Sequence, residues 1–395
     1  MRESGVADYG WRFRGQPVRV LRDHSFELYT NFQAAPDLLR PYGNGTAALP
    51  ACLQCGACTA SCNLAQDGRL FPRRQLTLLR LGQREDLLGD PSIWLCFNCE
   101  ECSYTCPVNV RPGHIMAGIR QMAVEHYATP RWAARYLNRP AGRALAWLGA
   151  LILLLALIAL GGSFTPLKSP VHLASLLPHR TLNLFFGAVA GIIIFVAVRS
   201  SSRAWNAFLG EHLWTADPGR LLKAVWHTAM ETLSHKRAAE CQQFPLSRWA
   251  HLAVLYGFLV LLAVSGVAVV LILTGAAYPL PAWSPFKIAA NLGAAGLVFG
   301  CLYFLWKRIT SARRGEDSSW FDWALPLDLV LVGVTGTLTE VFRFAGNAHL
   351  AYPMYVAHLV FVLVLLAGLP YSKLAHVIFR GVALTAQEYS SHGGR

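Results

Sequence analysis

The chain has 395 residues, 54% of them hydrophobic and 14% charged, well below the quarter that soluble domains usually carry. That balance excludes a wholly soluble protein and calls for a membrane portion. The formal charge of +13 does not point to nucleic acid, because Lys and Arg sit mainly in the polar first part and at the edges of apolar runs, where they set membrane orientation.

From Met1 to Arg22 the residues are polar and of mixed charge, with no apolar central region. A secretory leader is therefore not expected, and the N-terminus is expected in the cytoplasm. In that reducing compartment, closely spaced cysteines hold metal more often than disulfides. Eight of the ten cysteines are so spaced.

Cys52, Cys55, Cys58 and Cys62 form C-x-x-C-x-x-C-x-x-x-C, and Cys96, Cys99, Cys102 and Cys106 repeat it with Pro107 directly after. Asn63 takes the place of that proline in the first motif. Three thiolates spaced by two residues wrap one face of a cubane, and the fourth, offset by an extra residue, reaches a second cluster. The expected ligand sets therefore cross: Cys52, Cys55, Cys58 and Cys106 for one [4Fe-4S] cluster, Cys96, Cys99, Cys102 and Cys62 for the other. The competing reading is two zinc sites. A zinc knuckle needs only two cysteines, however, and the offset fourth member has no place in it. Cys241 and Cys301 lack such neighbours and read as packing residues. Around the motifs, Arg73 to Leu88 and Gly113 to Tyr127 read as helices, the second following Pro112.

Near Arg143 the composition turns apolar. Segments at about Ala144 to Leu160, Leu182 to Val198, Trp249 to Leu273, Ile288 to Trp306, Leu325 to Phe342 and Tyr352 to Phe379 are each long enough to cross a bilayer as a helix. Arg203, Arg220, Lys223, Lys236 and Arg237 fall in one even-numbered connection, and Lys307, Arg308, Arg313 and Arg314 in the next. The positive-inside rule then puts both chain ends in the cytoplasm beside the cysteines. Leu221 to His235 fits either an amphipathic helix at the interface or an ordinary connector.

Intramembrane histidines are costly without a function. His358 and His376 stand eighteen residues apart, which on one helix is five turns, about 27 Å, on a shared face. Imidazoles so placed suit haem. His251 opens the third span near the cytoplasmic side, where it faces His376 as the axial pair of a haem b. His358 is a ligand candidate for a second haem, and the corresponding stretch of the third span offers only Leu261 and Leu262. His172, His179 and His349 lie on the far side, where each reads either as the other ligand of that haem or, in preference, as an interfacial loop residue. Glu340 and Arg343 are either a quinone or proton site or an i, i+3 ion pair. No Gly-rich dinucleotide fingerprint follows a strand, so electrons are expected to come from a partner.

Two resemblances rest on these residues. C-L-Q-C-G-A-C-T-A-S-C and I-W-L-C-F-N-C-E-E-C-S-Y-T-C-P, within residues 51 to 127, resemble the small iron-sulfur subunit of heterodisulfide reductase. Residues 181 to 383, above all H-L-V-F-V-L-V-L-L-A-G-L-P-Y-S-K-L-A-H, resemble the gamma subunit of respiratory nitrate reductases. Their fusion is similar to the C-subunit family of the quinone-interacting membrane-bound oxidoreductases. The resemblance implies a mainly α chain of four parts: an N-terminal extension (1–50), a helical ferredoxin-like two-cluster domain (51–142), a six-helix transmembrane cytochrome b bundle (143–383) and a C-terminal tail (384–395). It further implies a non-flavin subunit in the cell inner membrane, working in sulfur metabolism. Electrons would pass between quinone and cytoplasmic adenylylsulfate reductase through flavin and iron-sulfur partner subunits. Leu261 stands where the nitrate reductase pattern has a second haem ligand. Rival readings are a sulfite-reductase-linked or heterodisulfide-reductase-like membrane subunit, and a structural anchor without haem.

Overall fold

The computed structural model of the chain describes residues 12–13, 16–17, 39, 42, 46–65, 70–163, 171–234, 245–275, 279–313 and 319–391. Apart from a ribbon of two paired dipeptides, β1 (Arg12–Phe13) and β2 (Gln16–Pro17), the described architecture is helical, as the sequence predicts.

The cysteine-rich segment is built from short helices: α1 (Ala57–Ala60), α2 (Arg73–Arg80), α3 (Arg84–Leu88), α4 (Ser92–Leu95), α5 (Glu101–Tyr104), α6 (Pro112–Tyr127) and α7 (Arg131–Leu137). The single helix expected over 73–88 is two, because Gly82 takes a left-handed φ of 69° that ends α2. Helix α6 starts with Pro112, whose missing N–H costs nothing at a first helical position. It is the core element: Ile115, Met116, Ile119, Met122 and Ala123 are buried against Leu76, Leu79, Leu87, Leu88 and Ile93.

Among the described residues, six helices are long and apolar enough to cross a membrane: α8 (Pro140–Gly161), α10 (His179–Leu209), α12 (Pro245–Leu273), α13 (Pro285–Arg313), α14 (Trp320–Phe344) and α15 (Ala348–Ala367). They mark a multi-pass membrane protein, since a helix satisfies its backbone internally and can leave apolar side chains facing lipid. A short turn of helix, α9 (Leu173–Leu176), lies between α8 and α10. Helix α11 (Pro218–Ser234) occupies the place predicted for the amphipathic segment, with Ala224 and Thr228 buried and Leu222 and Trp226 exposed.

The sixth apolar run is not one helix. Helix α15 stops at Ala367, a 3-10 turn covers Lys373–Ala375, and α16 (His376–Ser391) starts anew. Pro370 cannot donate into a helix and bars its preceding residue from helical backbone, and the Ser372 side chain accepts from Leu374 N to begin the next turn. His358 and His376 therefore stand on different helices. The five-turn spacing on a common face, expected from their separation, is overturned. Helix α16 instead returns to the cysteine segment, where Phe379 and Ala383 enter the same buried cluster as Trp94 and Tyr127.

Candidate metal centre

The two cysteine motifs fold alike. Gln54 and Gly56 in the first, and Asn98 and Glu100 in the second, all have φ between 54° and 86°. Left-handed backbone is uncommon at non-Gly residues and concentrates at functional loops. The turns aim donors at sulfur: Asn98 N lies 3.4 Å from Cys96 Sγ, Val110 N 3.4 Å from Cys106 Sγ, and Gln54 Nε2 3.6 Å from Cys52 Sγ. The third cysteine of each motif, Cys58 and Cys102, rides on its short helix, α1 or α5. An arginine fixes each first cysteine: Arg80 Nη1 donates to Cys52 O (2.9 Å) and Arg120 Nη1 to Cys96 O (3.1 Å). Ser61 and Thr105, at equivalent places three residues past Cys58 and Cys102, bond hydroxyl to hydroxyl at 3.0 Å. The two loops thus meet as a pseudo-symmetric pair.

This pairing exchanges the fourth cysteines. Cys106 lines one cleft together with Cys52, Cys55 and Cys58, with Arg73 at its wall. Burial raises the Cys58 thiol, helped by Cys52, Cys106 and Cys55. Burial likewise pushes Cys62 up to about 11, and the neighbours that add to it are Cys96 and Cys99, from the other motif. Cys102 is raised by burial and then by Cys96, Cys99 and Cys62. Four thiols converging on one cleft are a soft donor set, which fits iron. Among the described residues, no three His, Cys, Asp or Glu side chains close upon a single ion; the thiols stand around a cleft.

The three candidate histidines have different settings. His376 Nδ1 donates to Lys373 O at 2.7 Å, so its Nε2 keeps the lone pair that a metal needs. Burial lowers His376 to about 4, with His251, Lys373 and Arg380 adding to it. His251 of α12 is thus within electrostatic reach of His376. His358 faces α14 instead: its Nδ1 is 3.0 Å from Val332 O, and a Cβ on Gly336 would lie 2.9 Å from its ring. His172 and His349 are exposed. Cys301 is 1% exposed among Leu297, Leu329 and Leu365, and Cys241 lies outside the described residues. The Glu340 and Arg343 pair is not formed: Glu340 binds Lys287 of α13 at 2.7 Å, and Arg343 stacks on Phe344.

Sequence reasoning passed over two charged groups. Arg143 and Asp328, 1% and 2% exposed, pair at 3.2 Å between α8 and α14. Asp322 takes Lys373 and Arg308, beside the His376 turn. Charged residues within apolar windows were the available signal.

Residues 48–110 match the model of the 4Fe-4S dicluster domain family. A protein of Archaeoglobus profundus, described as like the C subunit of heterodisulfide reductase, is 39% identical over 85 residues, covering 21% of this chain and 45% of that protein. The C subunit of the ferredoxin:CoB-CoM heterodisulfide reductase of Methanosarcina acetivorans is 42% identical over 76 residues, 19% of this chain and 30% of that protein. The chain thus spans less than half the length of these relatives. The citrate utilization protein B of Escherichia coli is 27% identical over 319 residues, 73% of this chain and 79% of that protein, an alignment long enough to take in membrane helices as well. No solved structure matches the chain. The cysteine segment is therefore a 4Fe-4S electron-transfer domain related to the heterodisulfide reductase C subunit, carried in a chain with six membrane-length helices.

Proposed function

We propose that the chain is a membrane electron-transfer subunit that passes electrons between the quinone pool and a cytoplasmic partner through two [4Fe-4S] clusters and haem b. The observation that carries this reading is the exchange of fourth thiols, Cys106 lying with Cys52, Cys55 and Cys58, and Cys62 with Cys96, Cys99 and Cys102. These are the two ligand sets. When bound, the clusters and haem supply one-electron chemistry that no side chain here offers. The chain's own part is to hold and orient. Arg80 and Arg120 fix the Cys52 and Cys96 carbonyls, amides aimed at sulfur stabilise thiolate charge, and the Lys373 carbonyl sets the His376 tautomer.

His251 and His376 would hold the haem near the cluster domain, and His358 is the candidate ligand of a second haem. The cluster domain lies in the cytoplasm and the helices in the inner membrane, by the distribution of Lys and Arg. Flavin and iron-sulfur partner subunits connect the chain to its cytoplasmic reactant. The names of the relatives, C subunits of heterodisulfide reductases, favour such an assembly. Adenylylsulfate reductase, and with it sulfur metabolism, rests on the resemblance to the quinone-interacting oxidoreductases.

The test is to purify the intact membrane protein, add a quinol analogue, and record haem bands and cluster signals by optical and electron paramagnetic resonance spectroscopy. Absence of both chromophores ends the proposal. Clusters without haem leave the helices as an anchor. Two haems per chain keep His358 as a ligand, and one removes it.

A further inference from the structure

We infer that Arg380 couples the Cys62, Cys96, Cys99 and Cys102 set to the His376 helix, making this set the haem-side member of the wire and the Cys52, Cys55, Cys58 and Cys106 set the outer one. The inference rests on the cluster and haem assignments above and adds their order.

Helix α16 begins at His376, and one turn later Arg380 reaches the cysteine segment. Its Nη1 donates to Trp94 O at 3.1 Å and Leu95 O at 3.3 Å, and its guanidinium lies 4.3 Å over the Phe97 ring. Leu95 and Phe97 are the two chain neighbours of Cys96. One helical turn, one side chain and one hydrogen bond therefore connect a proposed axial ligand to the residue before a proposed cluster ligand. The link is held in place by packing, with Phe379 5.0 Å from Trp94 and 5.7 Å from Tyr127, centroid to centroid. These rings are buried, so the junction is a fixed part of the core.

The other set has the opposite setting. Cys55 is exposed, and the cleft it lines with Cys52, Cys58 and Cys106 is bordered by exposed Leu53 and Val108. An electron partner in solution has access there, whereas α16 sits against the flank of the second motif.

Both sets have arginines close by, Arg80 on the Cys52 carbonyl and Arg73 at the cleft wall for the outer set. Arg120 donates to Cys96 O and to Asn98 Oδ1, and Arg380 adds a second cation at the same loop. Positive charge and donated hydrogen bonds near a cluster raise its reduction potential. Arg380 thus adds to the positive charge that holds up the Cys96-set potential, and it links that set to the helix of His376. Arg380 is a positioning residue: it touches the peptide carbonyls beside the ligand, not the proposed cluster itself.

The experiment uses the full-length membrane protein with its cofactors, as wild type, Arg380→Leu and Arg380→Lys, with Cys55→Ser to identify which cluster signal belongs to the outer set. Redox titration followed by electron paramagnetic resonance gives each cluster potential, and rapid mixing with a quinol analogue gives the rate between haem and clusters. Arg380→Leu is expected to retain the haem bands and both cluster signals, to move only the Cys96-set potential downward, and to slow the exchange about tenfold or more. Arg380→Lys, which keeps the charge but loses the flat stack on Phe97, should leave the potential nearer wild type while the rate still falls. Unchanged potentials and rates overturn the inference, as does a shift confined to the Cys52 set. Where Arg380→Leu does not assemble, the rate in Arg380→Lys decides alone: slowing upholds the coupling, a wild-type rate overturns it. Wild-type protein lacking clusters or haem instead defeats the functional reading on which the inference stands.

Discussion

Arg143 and Asp328 pair at 3.2 Å with 1% and 2% of their side chains exposed, inside helices long enough to span the membrane. Removing one partner of such a pair strands the other charge. Asp328→Ala is expected to destabilise the protein by about 3–5 kcal/mol, while replacing both residues by apolar ones of similar volume recovers most of the loss; thermal unfolding in detergent measures both. His126 gives a pH-dependent counterpart outside the membrane. Burial holds its imidazole below the usual value, against the pull of Glu85. The unfolded chain therefore takes up this proton first, as pH falls below about 6.5. Stability supplied by neutral His126 is present above that pH and is lost on acidification toward the lower folded value. His126→Gln should flatten the acid limb of a plot of unfolding midpoint against pH. The histidines themselves were legible in sequence, as polar residues in apolar surroundings. Their partners were not: His358 meets Val332 and Gly336, and His376 meets Lys373, contacts that depend on how helices cross and where one ends.

At the scale of elements, α12 and α13 pack closely because glycine leaves room. A Cβ on Gly257 would lie 2.5 Å from Gly293 O, and one on Gly300 2.6 Å from Ala250 O. Small residues let membrane helices approach where no hydrophobic drive separates protein from lipid. Gly300→Ala should push α12 away at Ala250, next to His251, costing about 1–3 kcal/mol by overpacking. The readouts are the unfolding midpoint and, for a haem held by His251, a changed haem band. Element boundaries show where local signals suffice. Helix α6 was readable because Pro112 marks its start and its apolar positions recur at helical spacing. The division of 73–88 turned on the backbone of one residue, Gly82. The apolar run ending at Phe379 read as one span because hydropathy does not see a helix end. Pro370 was the available sign, and Ser372 completes the break.

For the whole molecule, six crossings by the membrane-length helices of the described residues would bring the chain back to the side it left, and α16 packs on the cysteine segment through Phe379 and Arg380. Reporters fused at either end should therefore be protected or exposed together, and on the cytoplasmic side if Lys and Arg set the orientation. Opposite accessibility of the two ends would refute this topology. The sequence by itself determined the composition-level facts: a membrane protein, two cysteine motifs of cluster spacing, mostly helical elements. These follow from local chemistry, since thiolate spacing, apolar run length and helix starts are read residue by residue. The crossed cysteine sets were already legible in the motif spacing, whereas only the tertiary structure decided that His358 and His376 belong to separate helices and that α16 ties the second motif to the His376 turn. Both depend on packing between segments far apart in the chain, Phe379 on Trp94, and such contacts leave no periodic trace in the sequence that forms them.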